Sequence, residues 1–79
     1  MSNRKIIACV VTPGQTPGTS EVQFIGESGY VAGTCLDTVI STNVTGDRVI
    51  VMCESQLTHK RWINIYDANT CGLIDVQPV

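Results

Sequence analysis

Apolar residues recur at every second position in several short segments of the chain, which is the spacing of a β-strand with one buried face. Segment 61–67 shows this most clearly, since Ile63 and Ile65 alternate with residues of a different character. Segments 21–25 and 73–78 alternate in the same way. We therefore predict strands in all three segments, separated by turns.

Two further segments, 4–11 and 48–54, are apolar on both faces of the predicted strand. In 48–54, two valines and Cys53 form one face, while Ile50 and Met52 form the other. A strand with two apolar faces is expected at the centre of a sheet or beneath another element. A small single sheet does not cover this much apolar surface, so we predict that the sheet closes on itself or contacts a second copy of the chain.

Segment 34–43 carries two conflicting signals. Residues 34–37 match a helix capping box, and the apolar residues between 35 and 40 are spaced like one face of a helix. Residues 38–42, however, are β-branched at four of five positions, which favours a strand. We predict a strand here, with one short helix at 34–43 as the alternative.

The composition supports a β-rich chain. It holds ten Val, eight Ile and nine Thr, against three Leu and three Ala. Branched residues suit a pleated strand, whereas Leu and Ala are the usual residues of helices. We therefore predict a single all-β domain spanning residues 1–79. Its expected form is a small antiparallel meander of six to seven short strands, closed into a barrel or a two-layer sandwich.

Segment 12–20 contains the tripeptide Thr-Pro-Gly twice, at 12–14 and at 16–18. Proline sets the backbone for the second position of a turn, and glycine tolerates the positive φ that a type II turn requires at the third. Each copy is therefore predicted to form a type II turn. Two stiff turns in one connection predict a shaped loop that is suited to contact a partner.

No motif in the sequence signals catalysis or a bound metal. The cysteines form no C-x-x-C pair, so we expect reduced thiols, with disulfides of unknown pairing as the alternative. These residues are Cys9, Cys35, Cys53 and Cys71. His59 is the single histidine, and no nucleophile and acid accompany it in a recognisable pattern. We predict a protein that is not an enzyme and that uses no metal or cofactor.

The net charge of −2 gives no reason to expect general attraction to nucleic acid or to an anionic membrane. The longest apolar runs, 6–11 and 49–53, are too short for a transmembrane helix. The N-terminal segment also lacks the cleavage pattern of a secretory signal. We expect a cytoplasmic protein, in the host cytoplasm if the gene is viral, without membrane contact.

Residues 59–62, His-Lys-Arg-Trp, are the one local concentration of basic and aromatic side chains. Together with Arg4 and Lys5, which a meander could bring to the same end, they would suit a small barrel that binds nucleic acid through phosphates and base stacking. We keep this as the alternative function. The same residue types also dominate protein interfaces.

The leading prediction is a non-enzymatic interaction protein that self-associates, as a dimer, and binds a larger protein. In kind, a small domain without catalytic residues resembles the accessory proteins of phages and mobile elements, many of which bind and block a larger protein. A small-molecule site between subunits is a third hypothesis. The candidate partner-binding residues are Pro13, Gly14, Pro17, Gly18, Lys60, Arg61, Trp62, Asn64 and Tyr66.

Overall fold

Seven antiparallel strands make up the computed structural model, which describes residues 5–79. They are β1 (Ile6–Pro13), β2 (Ser20–Gly26), β3 (Gly29–Leu36), β4 (Thr38–Thr45), β5 (Arg48–Glu54), β6 (Arg61–Asp67) and β7 (Leu73–Pro78). The prediction of an all-β chain is confirmed. Within residues 5–79 no helix is long and apolar enough to cross a membrane.

The strands form two sheets that share one hydrophobic core. The first sheet has the order β1-β2-β3 and the second has the order β4-β5-β6-β7. The rings of Phe24 and Tyr66 meet between the sheets, with centroids 5.2 Å apart. No strand ladder joins the two sheets in the described chain, so they form two layers and not a closed barrel. The buried apolar residues are Ile6, Val22, Phe24, Val49, Val51, Cys53, Tyr66 and Ala68.

Segment 34–43 is extended, as predicted, and the alternative of a helix there is excluded. The chain leaves β3 at Leu36 and enters β4 at Thr38, so Asp37 alone separates strands that belong to different sheets. Two hydrogen bonds hold the start of β4 against the first sheet. The Thr38 hydroxyl donates to the Gly18 carbonyl oxygen at 2.8 Å, and the Val39 amide donates to Ser20 Oγ at 3.3 Å.

The position of β1 corrects the expectation that it is covered on both faces. It lies at an edge of the first sheet, where it pairs with β2 alone. Ile6 is buried, whereas Ile7, Val10 and Val11 remain exposed. The apolar pattern of β1 matches that of a central strand, but the sheet has only three strands and β2 takes the centre.

Strand β5 behaves as its sequence predicts. It lies between β4 and β6, and its bounds coincide with the predicted segment 48–54. Val49, Val51 and Cys53 are fully buried in the shared core. Its other face points away from the first sheet, because successive residues of a strand alternate between faces.

The two Thr-Pro-Gly copies adopt different conformations. The second forms the predicted type II turn, since Gly18 has a φ of 85° and the Thr19 amide donates to the Thr16 carbonyl oxygen at 3.0 Å. The first does not. Pro13 ends β1, and the Gly14 amide donates to the Thr19 carbonyl oxygen at 2.9 Å, which extends the pairing of β1 with β2. Gly14 has no positive φ, so the prediction of a second turn is wrong.

Candidate interaction surfaces

Two loops meet at one end of the molecule, which we call the loop end. They are the β1–β2 loop, residues 14–19, and the β5–β6 loop, residues 55–60. The side chain of Gln56 lies against Gly18, where it fills the space that a β-carbon would take. The sequence predicted contact elements on 12–20 and from Lys60 onward, and the fold places the first of these against Gln56 in the β5–β6 loop, which ends at Lys60.

The β5–β6 loop is held by its own hydrogen bonds. The Ser55 amide donates to the Lys60 carbonyl oxygen at 2.9 Å, and the His59 amide donates to the Ser55 carbonyl oxygen at 2.8 Å. Ser55 Oγ accepts the amides of Leu57 and Thr58, each at 3.3 Å. A loop closed in this way has a defined shape, because a serine oxygen replaces backbone partners inside the turn.

Leu57 stands at the tip of this loop with 92% of its surface exposed. The loop therefore presents a large apolar side chain to solvent, with no core of this chain for it to enter. Leu57 lies in a short polar connection with no periodicity, so the hydrophobic pattern does not single it out. The usable signal was one leucine among the polar residues 55–60.

Glu54 neutralises part of the basic segment 59–62. Its carboxylate accepts a hydrogen bond from Arg61 Nε at 2.9 Å and lies 3.5 Å from His59 Nδ1. The hydrogen bond from Arg61, followed by the one from His59, lowers the pKa of Glu54. Within the described chain Lys60 makes no ion pair. One unpaired cation beside Leu57 is therefore the net electrostatic feature of this loop.

Lys5 lies at the opposite end of the molecule, which corrects the expectation that it joins residues 59–62. Its ammonium group is 3.6 Å from Asp47, at the start of β5, whereas Glu54 ends that strand. A strand of this length separates its ends by roughly 20 Å. Arg4 lies outside the described residues. Lys5 therefore cannot share one phosphate-binding patch with Lys60 and Arg61.

The expected strip on β6 lies largely inside the protein. Asn64 and Tyr66 are only 6% and 7% exposed, and Asn64 Nδ2 donates to the Tyr66 hydroxyl at 3.3 Å. Trp62 is partly buried against the same core. This face of β6 pairs with the buried face of β5, as Tyr66 lies opposite Val49. Asn64 and Tyr66 are thus core residues, and only Lys60 and Arg61 of this group are exposed.

A shallow depression of about 300 Å³ opens beside the β1–β2 loop. It offers hydroxyl groups, one amide, one carboxylate and one thiol, but no imidazole. Its lining residues are Gly14, Gln15, Thr16, Thr19, Glu21 and Cys35. The described residues contain no group of three side chains that could hold a metal ion.

The cysteines are all unpaired, but they differ in environment. Cys35 is exposed, Cys9 and Cys71 are partly buried, and Cys53 is fully buried. Burial raises the pKa of the Cys9 thiol. Burial, with the negative charge of Asp37 second, raises the pKa of Cys53. Thiols with raised pKa values are poor nucleophiles, which fits packing residues.

The outer face of the second sheet carries a compact apolar group, which we call the outer block. It consists of Ile50, Met52, Ile63 and Ile65, all partly exposed. In the register of β5 with β6, Ile50 lies opposite Ile65 and Met52 lies opposite Ile63. Four apolar side chains thus form a square on the surface that faces away from the core.

No family model matches the chain, and no curated protein or solved structure matches it either.

Proposed function

We propose that the protein is a small non-enzymatic interaction module that self-associates and binds a larger protein through its loop end, as an accessory or inhibitor. The observation that carries this proposal is the exposed Leu57 on a loop that its own hydrogen bonds hold in shape. Binding through a preformed loop avoids the entropy cost of ordering it on contact. Such a loop is therefore well suited to insert its apolar tip into a partner.

The neighbours of Leu57 indicate what kind of site would receive it. Lys60 is exposed and makes no ion pair within the described chain. Pro17 and the hydrogen bond from the Thr19 amide to the Thr16 carbonyl oxygen stiffen the adjacent loop, which contacts Gln56 through Gly18. A fitting partner presents an apolar pocket for the leucine with a carboxylate at its rim for the lysine. Complementary charge at such a rim steers association more than it adds affinity.

A pair of aspartate variants tests the role of Leu57. Leu57→Asp places a charge at the tip of the loop, and Leu73→Asp is the matched control. Leu73 is 56% exposed and lies at the start of β7, at the opposite end of the second sheet. Both variants are expected to keep the circular dichroism spectrum of the unmodified protein.

The readout is affinity capture from source or host cells, with captured proteins identified by mass spectrometry. We expect a protein that the unmodified chain and Leu73→Asp both retain and that Leu57→Asp loses. Equal capture by all three chains would contradict the proposal. A mobility shift with single-stranded RNA or DNA at low salt, lost in Lys60→Ala, would favour the nucleic-acid alternative instead.

A further inference from the structure

The outer block has polar side chains directly opposite it on β4 and β7, while Ile40 and Ile74 are exposed at the bulges of these two strands. Ser41 and Asn43 of β4 lie opposite Met52 and Ile50, and Gln77 and Asp75 of β7 lie opposite Ile63 and Ile65. Directly opposite residues of paired strands share one face of a sheet. An apolar centre with a polar rim is the usual anatomy of a protein interface.

Four charged residues at the ends of β5 and β6 form the corners of the outer block, and their signs alternate, while Asp75 of β7 adds a fifth charge to this face. Glu54 lies opposite Arg61 at the loop end, and Arg48 lies opposite Asp67 at the other end. On β5 the sign changes from Arg48 to Glu54, and on β6 it changes from Arg61 to Asp67. Each corner therefore differs in sign from both of its neighbours.

This alternation makes the face complementary to itself. A two-fold axis that runs along the strands places Glu54 over the second copy's Arg61, and Arg48 over its Asp67. An axis across the strands instead places Glu54 over the second copy's Arg48. A diagonal axis would place like charges together. The corners therefore favour aligned packing of the two sheets, which is a common arrangement for face-to-face sheets.

We propose that a second copy of this chain docks on the outer face of the second sheet, giving a face-to-face dimer with strands aligned. The inference specifies the surface for the self-association in the proposed function and rests on that function. In such a dimer the outer block of one copy covers that of the other. The interface is isologous, as expected for a two-fold dimer.

Other exposed surfaces suit a second copy less well. At the edge strand β7, the Val76 amide already donates to Asp75 Oδ1 at 2.8 Å, and Pro78 has no amide hydrogen. Both features block the addition of another strand. The outer face of the first sheet is also partly apolar, with Ile25 opposite Tyr30, but Glu21 is the one charged residue on its three strands. Neither surface combines an apolar centre with self-complementary charges.

The size of the face sets the expected strength. Four strands about 4.8 Å apart and seven residues long give a footprint of roughly 400 Å² per copy. This is below the roughly 600 Å² per partner that specific, stable interfaces bury, and it falls in the range of weak, transient contacts. We therefore expect a dimer that dissociates at micromolar concentration, on the order of 10 µM.

The test is sedimentation velocity of the full chain from about 1 to 500 µM. Ile63→Lys places a charge in the outer block, and Ile25→Lys is the matched control. Ile25 is an equally partly exposed isoleucine on the central strand of the first sheet. We expect the unmodified chain and Ile25→Lys to shift from monomer to dimer, and Ile63→Lys to remain a monomer. Ile63→Thr, which keeps β-branching, is expected to weaken the dimer at least tenfold if the lysine variant fails to fold.

Exchanging the charges at the loop end distinguishes the two permitted axes. The double variant Glu54→Arg with Arg61→Glu keeps their mutual ion pair and keeps the match for an axis along the strands. It brings like charges together for an axis across the strands. Retained dimer therefore supports the first geometry, and lost dimer supports the second.

Two results would overturn the inference. One is an unmodified chain that stays monomeric at 500 µM, and the other is an equal response of the dimer to Ile63→Lys and Ile25→Lys. Partner capture that still depends on Leu57 in either case would leave the binding function standing. Conversely, Ile63→Lys could abolish the dimer while Leu57→Asp leaves partner capture unchanged. This pair of results would support the outer face as the dimer interface and contradict the partner-binding role of Leu57.

Discussion

The side chain of Gln56 occupies the position that a β-carbon on Gly18 would take. This contact joins the β1–β2 loop to the β5–β6 loop, which are 38 residues apart at these positions. Glycine is favoured at position 18 for two reasons. A β-carbon there would collide with the Gln56 side chain, and the φ of 85° is disfavoured for other residues. The arrangement of the loop end therefore depends on one glycine.

Gly18→Ala should cost more stability than the left-handed backbone alone explains. Gly46→Ala is the control, since Gly46 has a φ of 57° and open space around it. We expect a loss of about 1 kcal/mol for Gly46→Ala. For Gly18→Ala we expect only a few tenths of a kcal/mol more, roughly 1.5 kcal/mol in all, because the amide end of the exposed Gln56 side chain has to move aside. Urea unfolding measures both.

Adding Gln56→Ala separates the two causes in Gly18→Ala. In that background the collision is absent, so the cost of Gly18→Ala should fall to that of Gly46→Ala. An unchanged cost would show that the contact with Gln56 contributes nothing. The size of the change is the coupling between the two loops.

Ser55→Ala is expected to loosen the β5–β6 loop without unfolding the sheets. The variant removes the oxygen that accepts the amides of Leu57 and Thr58. We expect faster hydrogen exchange at these two amides and a stability loss of about 1 kcal/mol or less. Exchange in β5 and β6 should be unchanged. Equal exchange rates at Leu57 and Thr58 in both proteins would refute the assigned hydrogen bonds.

Stability should fall as the pH rises above about 8.5, the ordinary pKa of a thiol. Burial raises the pKa of Cys53, so the folded chain keeps a proton that the unfolded chain releases. The stabilisation from the protonated Cys53 thiol is fully present below about pH 8.5, and it is lost as the pH rises through the raised pKa of the folded chain. Cys9 and Tyr66 have raised pKa values for the same first cause and act in the same direction.

Urea unfolding between pH 8 and 10 checks this with a matched pair of variants. Cys53→Val keeps an apolar side chain of similar size and should flatten the decline. Cys35→Val removes an exposed thiol and should leave the slope as it is. If Cys53→Val leaves the slope of unfolding free energy against pH unchanged, groups other than Cys53 cause the loss of stability.

Thiol labelling under native conditions should follow the burial of the cysteines. We expect an aromatic disulfide reagent to modify Cys35 first and Cys53 only when the chain unfolds. Cys35→Ser should remove the fast phase. Rapid labelling of Cys53 without denaturant would contradict its place in the core.

The hydrophobic pattern and the branched residues were sufficient to predict the local conformation of most of the chain. The predicted segments 48–54, 61–67 and 73–78 coincide with β5, β6 and β7. The run of branched residues in 38–42 also overrode the capping-box signal, so the chain remains extended there. Alternation and χ1 restriction act within a few residues, and a single sequence is therefore sufficient to show them.

The packing of the two sheets sets which surfaces are buried and which distant residues are in contact, and local patterns do not predict it. In β6 both faces carry apolar residues, and the pattern favoured Ile63 and Ile65 for the core over Asn64 and Tyr66. The fold buries Tyr66 instead, because its ring packs on Phe24 and its hydroxyl accepts the amide of Asn64. A period of two identifies two faces but does not say which one another sheet will cover.

The same limit applies to distance along the chain. Gly18 and Gln56 meet, while Lys5 and Lys60 lie at opposite ends, and no local pattern distinguishes these two cases. Strand order places β1 at an edge despite its apolar sequence. Non-local pairing of strands sets these relationships, since a segment's burial depends on the elements that pack on it as well as on its own residues.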